Sequence, residues 1–502
     1  MTTNIPAVEL TQKQPPPRGS QRSRESTAGS QPPWFAPLLR RLHFYAGIFV
    51  GPFILIAAAT GALYAFSPQI EAAIYGDVLE TDGGIDPLPL AEQVEAAQQS
   101  MGEDATIAAV RPAAEPGETT RVMFNDDSLA DSQHMSVFID PDTAEVLGQE
   151  AVYGSSGSLP LRFDISQAHR HLFLGDWGRL YSELAASWLA VVVVAGLGLW
   201  ASRWVSARRR SSLSRAAKGL LVPDHSRTGY KRTRSWHASL GIWLSVGALF
   251  LAATGITWST YGGANVTDAR AALSWDTPSV ETQLDDSEGA GTHAVHEHGE
   301  GDATDTAGSA AFDPALFDEV LATGRDAGFD STQVEIITPA AEGEAWSMSD
   351  VSLALPAPEV HSVSVDPETL ETRDVLYFDD YPFVAKLAQW GIWLHMGTLF
   401  GLANQVLLLG ISLGIMAMVI FGYVMWWQRR PRHNGQAFGA APARGAFRRA
   451  PWWGKILTVG VLAGIGWFLP VLGVSLIVFV VVDVVLGQRA RRRDLRGAVA
   501  PG

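Results

Sequence analysis

Four histidines in two related pairs are the residues of this sequence that could carry chemistry. His43 and His237 each lie near the start of an apolar stretch, and His169 and His395 each precede another. Neutral imidazole is a common ligand of haem iron and of metals generally. One histidine at a membrane surface is usually only an interfacial side chain, but ionisable residues at the membrane are candidates for function when they recur at related positions. The sequence therefore suggests two imidazole pairs that could each hold a haem.

An internal repeat relates the histidines of each pair. Residues 43–61 align with residues 237–255 at an offset of 194, and both segments end in Ala-Ala-Thr-Gly. Later in each half, the motif Asp-Pro-x-Thr occurs at Asp140–Thr143 and again at Asp366–Thr369, an offset of 226. The chain therefore has two tandem halves. Because an even number of predicted spans separates them, both halves cross the membrane in the same direction.

The offset of 226 also bears on which histidine of the Ala-His-Arg-His segment pairs with His395. It continues from the Asp-Pro motif without a gap and aligns His169 with His395 in a His-x5-Gly frame that ends at Gly175 and Gly401. An ungapped alignment from the following apolar helix selects His171 instead. His169 is the predicted partner of His395, and His171 is the alternative.

Long apolar runs predict where helices cross the membrane. Runs of about 17–25 apolar residues can cross a bilayer core, and four lie near Leu38–Phe66, Leu184–Trp204, Trp236–Trp258 and Val406–Trp427. A final run, Ile456–Leu486, is too long for one ordinary span and contains Pro470 near its middle, which predicts a helical hairpin.

The distribution of charge predicts the orientation of these spans. Although the net charge is −15, basic residues cluster beside the apolar runs at 40–41, 203–234, 429–449 and 489–496, whereas the long loops 69–178 and 262–385 are acidic. Basic segments stay on the cytoplasmic side of a membrane. We therefore expect a multi-pass protein of the bacterial cytoplasmic (inner) membrane, with both termini cytoplasmic and both long loops outside.

Composition excludes several kinds of redox chemistry. The chain has no cysteine, which rules out disulfides, thiolate-held iron–sulfur clusters and covalent c-type haem. It has neither a Gly-x-Gly-x-x-Gly after a strand nor a P-loop, so no nicotinamide or ATP site is indicated. Besides membrane lipid, the expected partners are an electron donor, either a quinol or a cytosolic reductase, and an acceptor outside. No nucleic-acid partner is indicated.

Two b-type haems with paired histidine ligands would fit the four histidines. His43 with His237 would hold one haem towards the cytoplasmic face, and His169 with His395 would hold the other towards the outer face. Such a pair would form a path for electrons across an insulating layer. The spacing departs from that of the best-known membrane b-type cytochromes, in which one helix carries two of the ligand histidines.

Several motifs together resemble the PepSY-associated transmembrane family. They are Leu42-His43-x3-Gly47, Ala253–Ser259 (Ala-Thr-Gly-x2-Trp-Ser), His169–Gly178, Glu183–Trp188 and Asp140–Thr143, and the resemblance covers about residues 37–487. It implies an iron-regulated membrane protein similar to haem-containing ferric-siderophore reductases. It also implies that the outer loops are PepSY domains, each a helix against a small antiparallel sheet, a module linked to peptidase propeptides and protease inhibition.

The predicted fold is a polytopic α-helical membrane protein with a four-helix core from two tandem halves, a C-terminal helical hairpin and two small α+β (PepSY-like) extracytoplasmic domains. The predicted boundaries are 1–33 for a disordered cytoplasmic tail, 34–68 for the first span, 69–178 for the first outer domain, 179–204 for the second span, 205–234 for a basic loop, 235–260 for the third span, 261–385 for the second outer domain, 386–427 for an interfacial segment and the fourth span, 428–452 for a second basic loop, 453–488 for the hairpin and 489–502 for a basic cytoplasmic tail.

Other ionisable residues are weaker candidates. His293, His296 and His298 lie in a His-rich acidic insertion of the second outer domain and could bind a metal ion, although a solvated linker is the favoured interpretation. Glu183 could accept a proton or a hydrogen bond from a ligand imidazole, or be a simple end residue. Asp483 is expected to pair with the basic tail.

Two functions compete. The leading hypothesis is a haem-b transmembrane electron-transfer protein that reduces an extracytoplasmic acceptor such as a ferric siderophore or another ferric chelate. As an enzyme it would be a membrane ferric-chelate (siderophore) reductase. The alternative is a non-enzymatic PepSY binding or regulatory protein that engages a peptidase or envelope partner. A transporter is less favoured because the two halves run parallel.

Overall fold

The computed structural model describes residues 35–499 except 131, 155, 285–311, 354, 431–441, 443–444 and 446. Four predicted features therefore lie wholly or partly outside the described residues. They are the tail at 1–33, the insertion with His293, His296 and His298, most of the basic loop at 428–452, and the end of the C-terminal tail.

Each half runs from helices through four consecutive strands to two further helices. The helices are α1 (Phe35–Phe49), α2 (Gly51–Tyr64), α3 (Ser67–Ile74), α4 (Gly76–Leu79), α5 (Leu90–Met101), α6 (Pro160–His171), α7 (Gly175–Arg208), α8 (Leu213–Leu221), α9 (Gly229–Thr257), α10 (Thr260–Ala272), α11 (Ala315–Asp326), α12 (Phe383–Met396), α13 (Gly401–Gln428), α14 (Trp452–Phe468) and α15 (Pro470–Val499). The strands are β1 (Ile107–Arg111), β2 (Thr120–Phe124), β3 (Gln133–Ile139), β4 (Val146–Tyr153), β5 (Val334–Ile337), β6 (Trp346–Asp350), β7 (Val360–Val365) and β8 (Thr372–Tyr377).

Four helices in the described part of the chain are long and apolar enough to cross a membrane. They are α7, α9, α13 and the Pro470–Arg489 part of α15. Helices α1 and α2 are each too short to pass the same test and pass it only together, and the chain bends by 61° between them. Pro52, in the first turn of α2, has no N–H to continue the helical ladder across this break. The protein is therefore a multi-pass membrane protein with four or five spans.

The C-terminal apolar run is broken in two. The shorter apolar helix α14 ends at Phe468, and α15 begins at Pro470. Proline disfavours helical conformation in the residue before it, which explains why the break falls at Leu469. The two helices pack against each other, and α15 also contacts α7.

The outer segments of both halves form one antiparallel sheet of eight strands. Its order is β4-β3-β2-β1-β5-β6-β7-β8, so the halves meet where β1 pairs with β5 through Val110↔Ile336 and Ala109↔Ile337. An unpaired edge strand exposes N–H and C=O groups, and this pairing satisfies them on both sides. The two outer domains expected from the sequence are thus joined in a single sheet.

The halves also share one hydrophobic core on the face of the sheet that carries α5 and α11. Fully buried Val94, Val110, Phe317 and Trp346 belong to the same cluster. The carboxylate of Asp318 in α11 accepts hydrogen bonds from the N–H groups of Leu90 and Ala91, the first residues of α5, at 2.8 and 2.7 Å. The second half therefore caps a helix of the first.

Candidate functional site

His43 and His237 face each other although they come from different halves. His43 lies on α1 and His237 on α9, and their ring centroids are 6.0 Å apart with an interplanar angle of 77°. Nδ1 of His43 is 2.9 Å from the carbonyl oxygen of Val192 on α7. Because a carbonyl can only accept, the neutral ring carries its proton on Nδ1 and leaves Nε2 with a free lone pair.

Glycine makes this approach possible. Gly196 lies one turn after Val192, and a Cβ atom at Gly196 would come within 3.2 Å of Cε1 of His43. The ring of His43 therefore occupies space that a side chain on α7 would fill. A glycine also makes room for His169, because a Cβ atom at Gly61 would come within 3.2 Å of Cε1 of His169.

His169 and His395 form a second pair. His169 lies near the end of α6 and His395 near the end of α12, with ring centroids 6.5 Å apart and an interplanar angle of 63°. The frame that the two share has a structural reason, because Gly175 and Gly401 both have φ 53° where the next helix begins. Glycine adopts this left-handed conformation without the steric strain of other residues.

A repeated threonine orients each ring of the outer pair. Nδ1 of His169 is 2.9 Å from the hydroxyl of Thr60, and Nδ1 of His395 is 2.5 Å from the hydroxyl of Thr254. Both hydroxyls already donate to carbonyl groups one turn earlier in their own helices. The imidazoles therefore donate from Nδ1, and Nε2 is again left with its lone pair.

Neither threonine was singled out from the sequence. The signal was present, since Thr60 and Thr254 are the threonines of the repeated Ala-Ala-Thr-Gly segment. A hydroxyl in an apolar helix is ordinarily explained by its bond to its own backbone. Only the position of the incoming histidine gives these two a further partner.

The two histidine pairs lie far apart along helix α9. His237 and Thr254 are 17 residues apart on this helix, which corresponds to about 25 Å along the axis. His43 and Thr60 have the same spacing in the first half. This separation approaches the thickness of a hydrocarbon core, about 30 Å, so the pairs lie towards opposite faces.

His171 takes no part in either pair. It belongs to the last turn of α6, where its carbonyl oxygen accepts from the N–H of Leu174 at 2.9 Å. The structure thus brings His169, and not His171, beside His395. Which histidine acts as a ligand is still a prediction.

The geometry of both pairs suits a metal centre between two imidazoles. A metal bound at about 2 Å from each ring nitrogen would leave the ring centroids about 6 Å apart. Within the described ranges, no group of three or more His, Cys, Asp and Glu side chains is arranged to hold a metal ion. Two protein ligands per site fit a haem, which supplies its own in-plane nitrogens, better than a bare ion.

A large cavity connects the outer pair with the sheet. Its volume is about 2620 Å³, and His169 and His395 line it at the membrane end together with Arg170 and Arg179. Burial, with a smaller effect of the neighbouring Arg179, lowers the pKa of Arg170 to about 10, so Arg170 stays charged at neutral pH. The sheet forms the opposite wall.

Glu183 and Asp483 have structural partners. Glu183 is 1% exposed, and its carboxylate accepts from the N–H groups of Tyr261 and Gly262 at 3.0 and 3.1 Å. The donors to Glu183 are therefore N–H groups in the first turn of α10 and not a ligand imidazole. Asp483 of α15 forms an ion pair with Arg41 of α1, and its expected pairing with the basic tail is still a prediction. This ion pair fixes α15 against the first membrane helix.

Comparison with known proteins identifies the family. No curated protein matches the chain. The family model described as the PepSY-associated TM region matches residues 40–429, which include both histidine pairs and the whole sheet. The resemblance read from the motifs is thereby confirmed, and the chain belongs to the PepSY-associated TM family.

Proposed function

We propose that this protein is a haem-b transmembrane electron-transfer protein that reduces an extracytoplasmic ferric siderophore or another ferric chelate. The observation that carries the proposal is the pair of facing imidazoles near each membrane face, with centroids 6.0 and 6.5 Å apart. A haem held by these imidazoles would supply one-electron chemistry. The remaining argument concerns what the protein's own residues contribute.

The hydrogen bonds at Nδ1 hold the ligand nitrogens in place. The Val192 carbonyl and the Thr60 and Thr254 hydroxyls fix the tautomer and orientation of three of the rings. Such partners make a ligand nitrogen more basic and strengthen metal binding. The inner pair, His43 with His237, and the outer pair, His169 with His395, would each bind one haem.

The large cavity that His169 and His395 line is the proposed binding site of the acceptor. It reaches the outer histidine pair at one end and is larger than the usual 300–1,000 Å³ of small-molecule sites, so a bulky chelate fits. The donor would act at the opposite face, either as a quinol or as a cytosolic reductase. The basic segments beside the inner pair support a cytoplasmic location for that face, in the bacterial inner membrane.

The visible spectrum of detergent-purified protein tests this function. We expect sharp reduced bands, about two haems per chain by pyridine haemochrome, and the loss of one haem in His43→Ala and of the other in His395→Ala. His171→Ala is the matched control and should keep both haems. A colourless protein from haem-replete cells would rule the function out.

The second candidate is a non-enzymatic PepSY protein that binds a peptidase or envelope partner. The observation in its favour is that, in the described part of the chain, the end strands β4 and β8 each pair with one strand only. An extended peptide can add to such an edge. A colourless protein that binds peptides would support this function.

A further inference from the structure

The two halves of the sheet differ on the face that looks towards the membrane. Strands β2 and β3 match β6 and β7 at the same offset of 226 that relates the histidines. At matching positions the first half has Met123 and Phe138, whereas the second half has Ser349 and Ser364. Large apolar side chains are thus replaced by small polar ones.

This difference determines which part of the face is covered. In the first half, Met123 and Phe138 are buried in a cluster with Val78, and Leu79 packs against it from α4. The chain reaches the sheet there because α3 and α4 follow the first span directly. Met123 still lines the cavity, so the first half meets it at this place with an apolar side chain and not with a hydroxyl.

In the second half the corresponding helix does not cover the sheet. Helix α10 follows the third span, but it packs against α7, α9 and α15, and Glu183 caps its first turn. The serine-bearing face is left to line the cavity through Ser347, Ser349 and Ser362. The hydroxyls of Ser349 and Ser362 lie 3.0 Å apart and form a polar wall of the cavity that the outer histidines also line.

We propose that this serine wall, on β6 and β7 of the second half, is the surface on which the ferric acceptor docks. This inference rests on the proposed function, because the acceptor is the one named there. Small hydroxyl side chains leave room for a bulky ligand and can both donate to and accept from its oxygen atoms. The wall therefore suits a chelate whose surface carries amide, hydroxamate or similar oxygen groups.

The charges around the wall select the charge of that chelate. The carboxylates that line the cavity outnumber its arginines among the described residues: Asp126, Asp127, Asp176, Glu281, Glu335, Glu344 and Asp350 against Arg170, Arg179, Arg270 and Arg373. The excess of carboxylates remains when Glu335, which pairs with Arg111, is left out. Two of these arginines, Arg170 and Arg179, lie at the membrane end beside the outer histidines. A concave wall with excess negative charge disfavours a multiply anionic ligand. The acceptor class is therefore an uncharged or cationic ferric chelate.

Binding of gallium chelates to the full-length protein tests this inference without electron transfer, because Ga³⁺ is not reduced. An uncharged or cationic Ga³⁺ trihydroxamate and a trianionic Ga³⁺ tris-catecholate are titrated by calorimetry. We expect the trihydroxamate to bind at least about tenfold more tightly. Ser349→Met, which introduces the residue of the first half, should weaken that binding by about tenfold.

Two further variants make the result independent of folding defects. Gln99→Met, on exposed α5 at the other face of the sheet, should bind as the wild type does. In the double variant Asp127→Asn with Glu281→Gln, which changes two exposed residues, the affinities for the trihydroxamate and the tris-catecholate should differ by less than in the wild type. Equal binding of the two chelates by the wild type, or unchanged binding by Ser349→Met, would overturn the inference. If either of these two results came from a protein that shows the haem spectrum, the proposed function would stand. If the protein were colourless but showed the expected binding, only the proposed function would be ruled out.

Discussion

The hydroxyl of Thr60 accepts a hydrogen bond from Nδ1 of His169 at 2.9 Å, across two segments that are far apart in the chain. The second half repeats this contact between Thr254 and His395. The repeat therefore preserves the partner of the candidate ligand as well as the ligand. A polar partner for an imidazole inside an apolar bundle is what a metal-binding role requires.

Removal of either threonine hydroxyl should weaken haem binding at the outer pair only. In Thr60→Val or Thr254→Val a buried ring N–H loses its acceptor, which costs about 1–3 kcal/mol, and loss of such a partner lowers metal affinity about 10–100-fold. Haem content and redox titration of the purified variants measure the effect. Thr233→Val, at the exposed end of α9, should behave as the wild type. A loss confined to the inner haem would contradict the assignment.

A methyl group at Gly61 or Gly196 should disturb one histidine pair each. The new Cβ would lie 3.2 Å from Cε1 of His169 in Gly61→Ala and of His43 in Gly196→Ala, and such overpacking costs about 1–3 kcal/mol. We expect Gly61→Ala to lower occupancy of the outer haem and Gly196→Ala that of the inner haem, measured by difference spectra. Gly410→Ala has open space at Cβ and is the matched control. Difference spectra like those of the wild type in both variants would show that the rings of His169 and His43 do not lie beside these glycines.

Neutralising Glu183 should loosen α10 without changing the haem spectrum. In Glu183→Gln the first turn of α10 keeps a side-chain acceptor but loses the negative charge, at a cost of about 1–2 kcal/mol. Thermal unfolding should shift down, and hydrogen exchange at 260–272 should increase. Glu319→Gln, on an exposed face of α11, should change neither. A shifted haem spectrum in Glu183→Gln would instead indicate that this carboxylate acts on a ligand imidazole.

The stability of the outer domain should depend on the protonation of Glu71. Burial raises the pKa of Glu71 above its ordinary value of 4.5, and the nearby Arg162 opposes this increase only in part. A raised pKa in the folded state contributes stability that is complete below pH 4.5 and is lost as the pH rises through the folded pKa. The unfolding temperature of the wild type should therefore fall relative to that of Glu71→Gln over this interval. Glu95→Gln, exposed on α5, should follow the wild type. A wild-type unfolding temperature that rises with pH relative to that of Glu71→Gln would contradict the direction of the pKa shift.

The sequence was sufficient for the membrane character, the family and the frame that aligns His169 with His395. The length of the apolar runs and the internal repeat support these predictions, because both can be read from local composition and constant spacing. The structure adds that each histidine of one half faces its counterpart in the other, at 6.0 and 6.5 Å. That these four are ligands is still a prediction.

Contacts between distant segments could not be predicted in the same way. The bond of Glu183 to α10, the ion pair of Asp483 with Arg41 and the pairing of β1 with β5 depend on tertiary placement. The bend of 61° between α1 and α2 was missed for a different reason. Hydrophobicity alone gave one continuous run there, and Pro52 was the signal of a break.

The junction of the two half-sheets has the symmetry of a dimer interface. Val110 and Ile336 are equivalent residues at the offset of 226, and they pair directly with each other. Antiparallel pairing of equivalent strands about such a point is the geometry of a two-fold homodimer interface. The two halves thus meet within one chain as the two subunits of such a dimer would. A single half on its own would form the same eight-stranded sheet, and complete both histidine pairs, only by joining a second copy of itself.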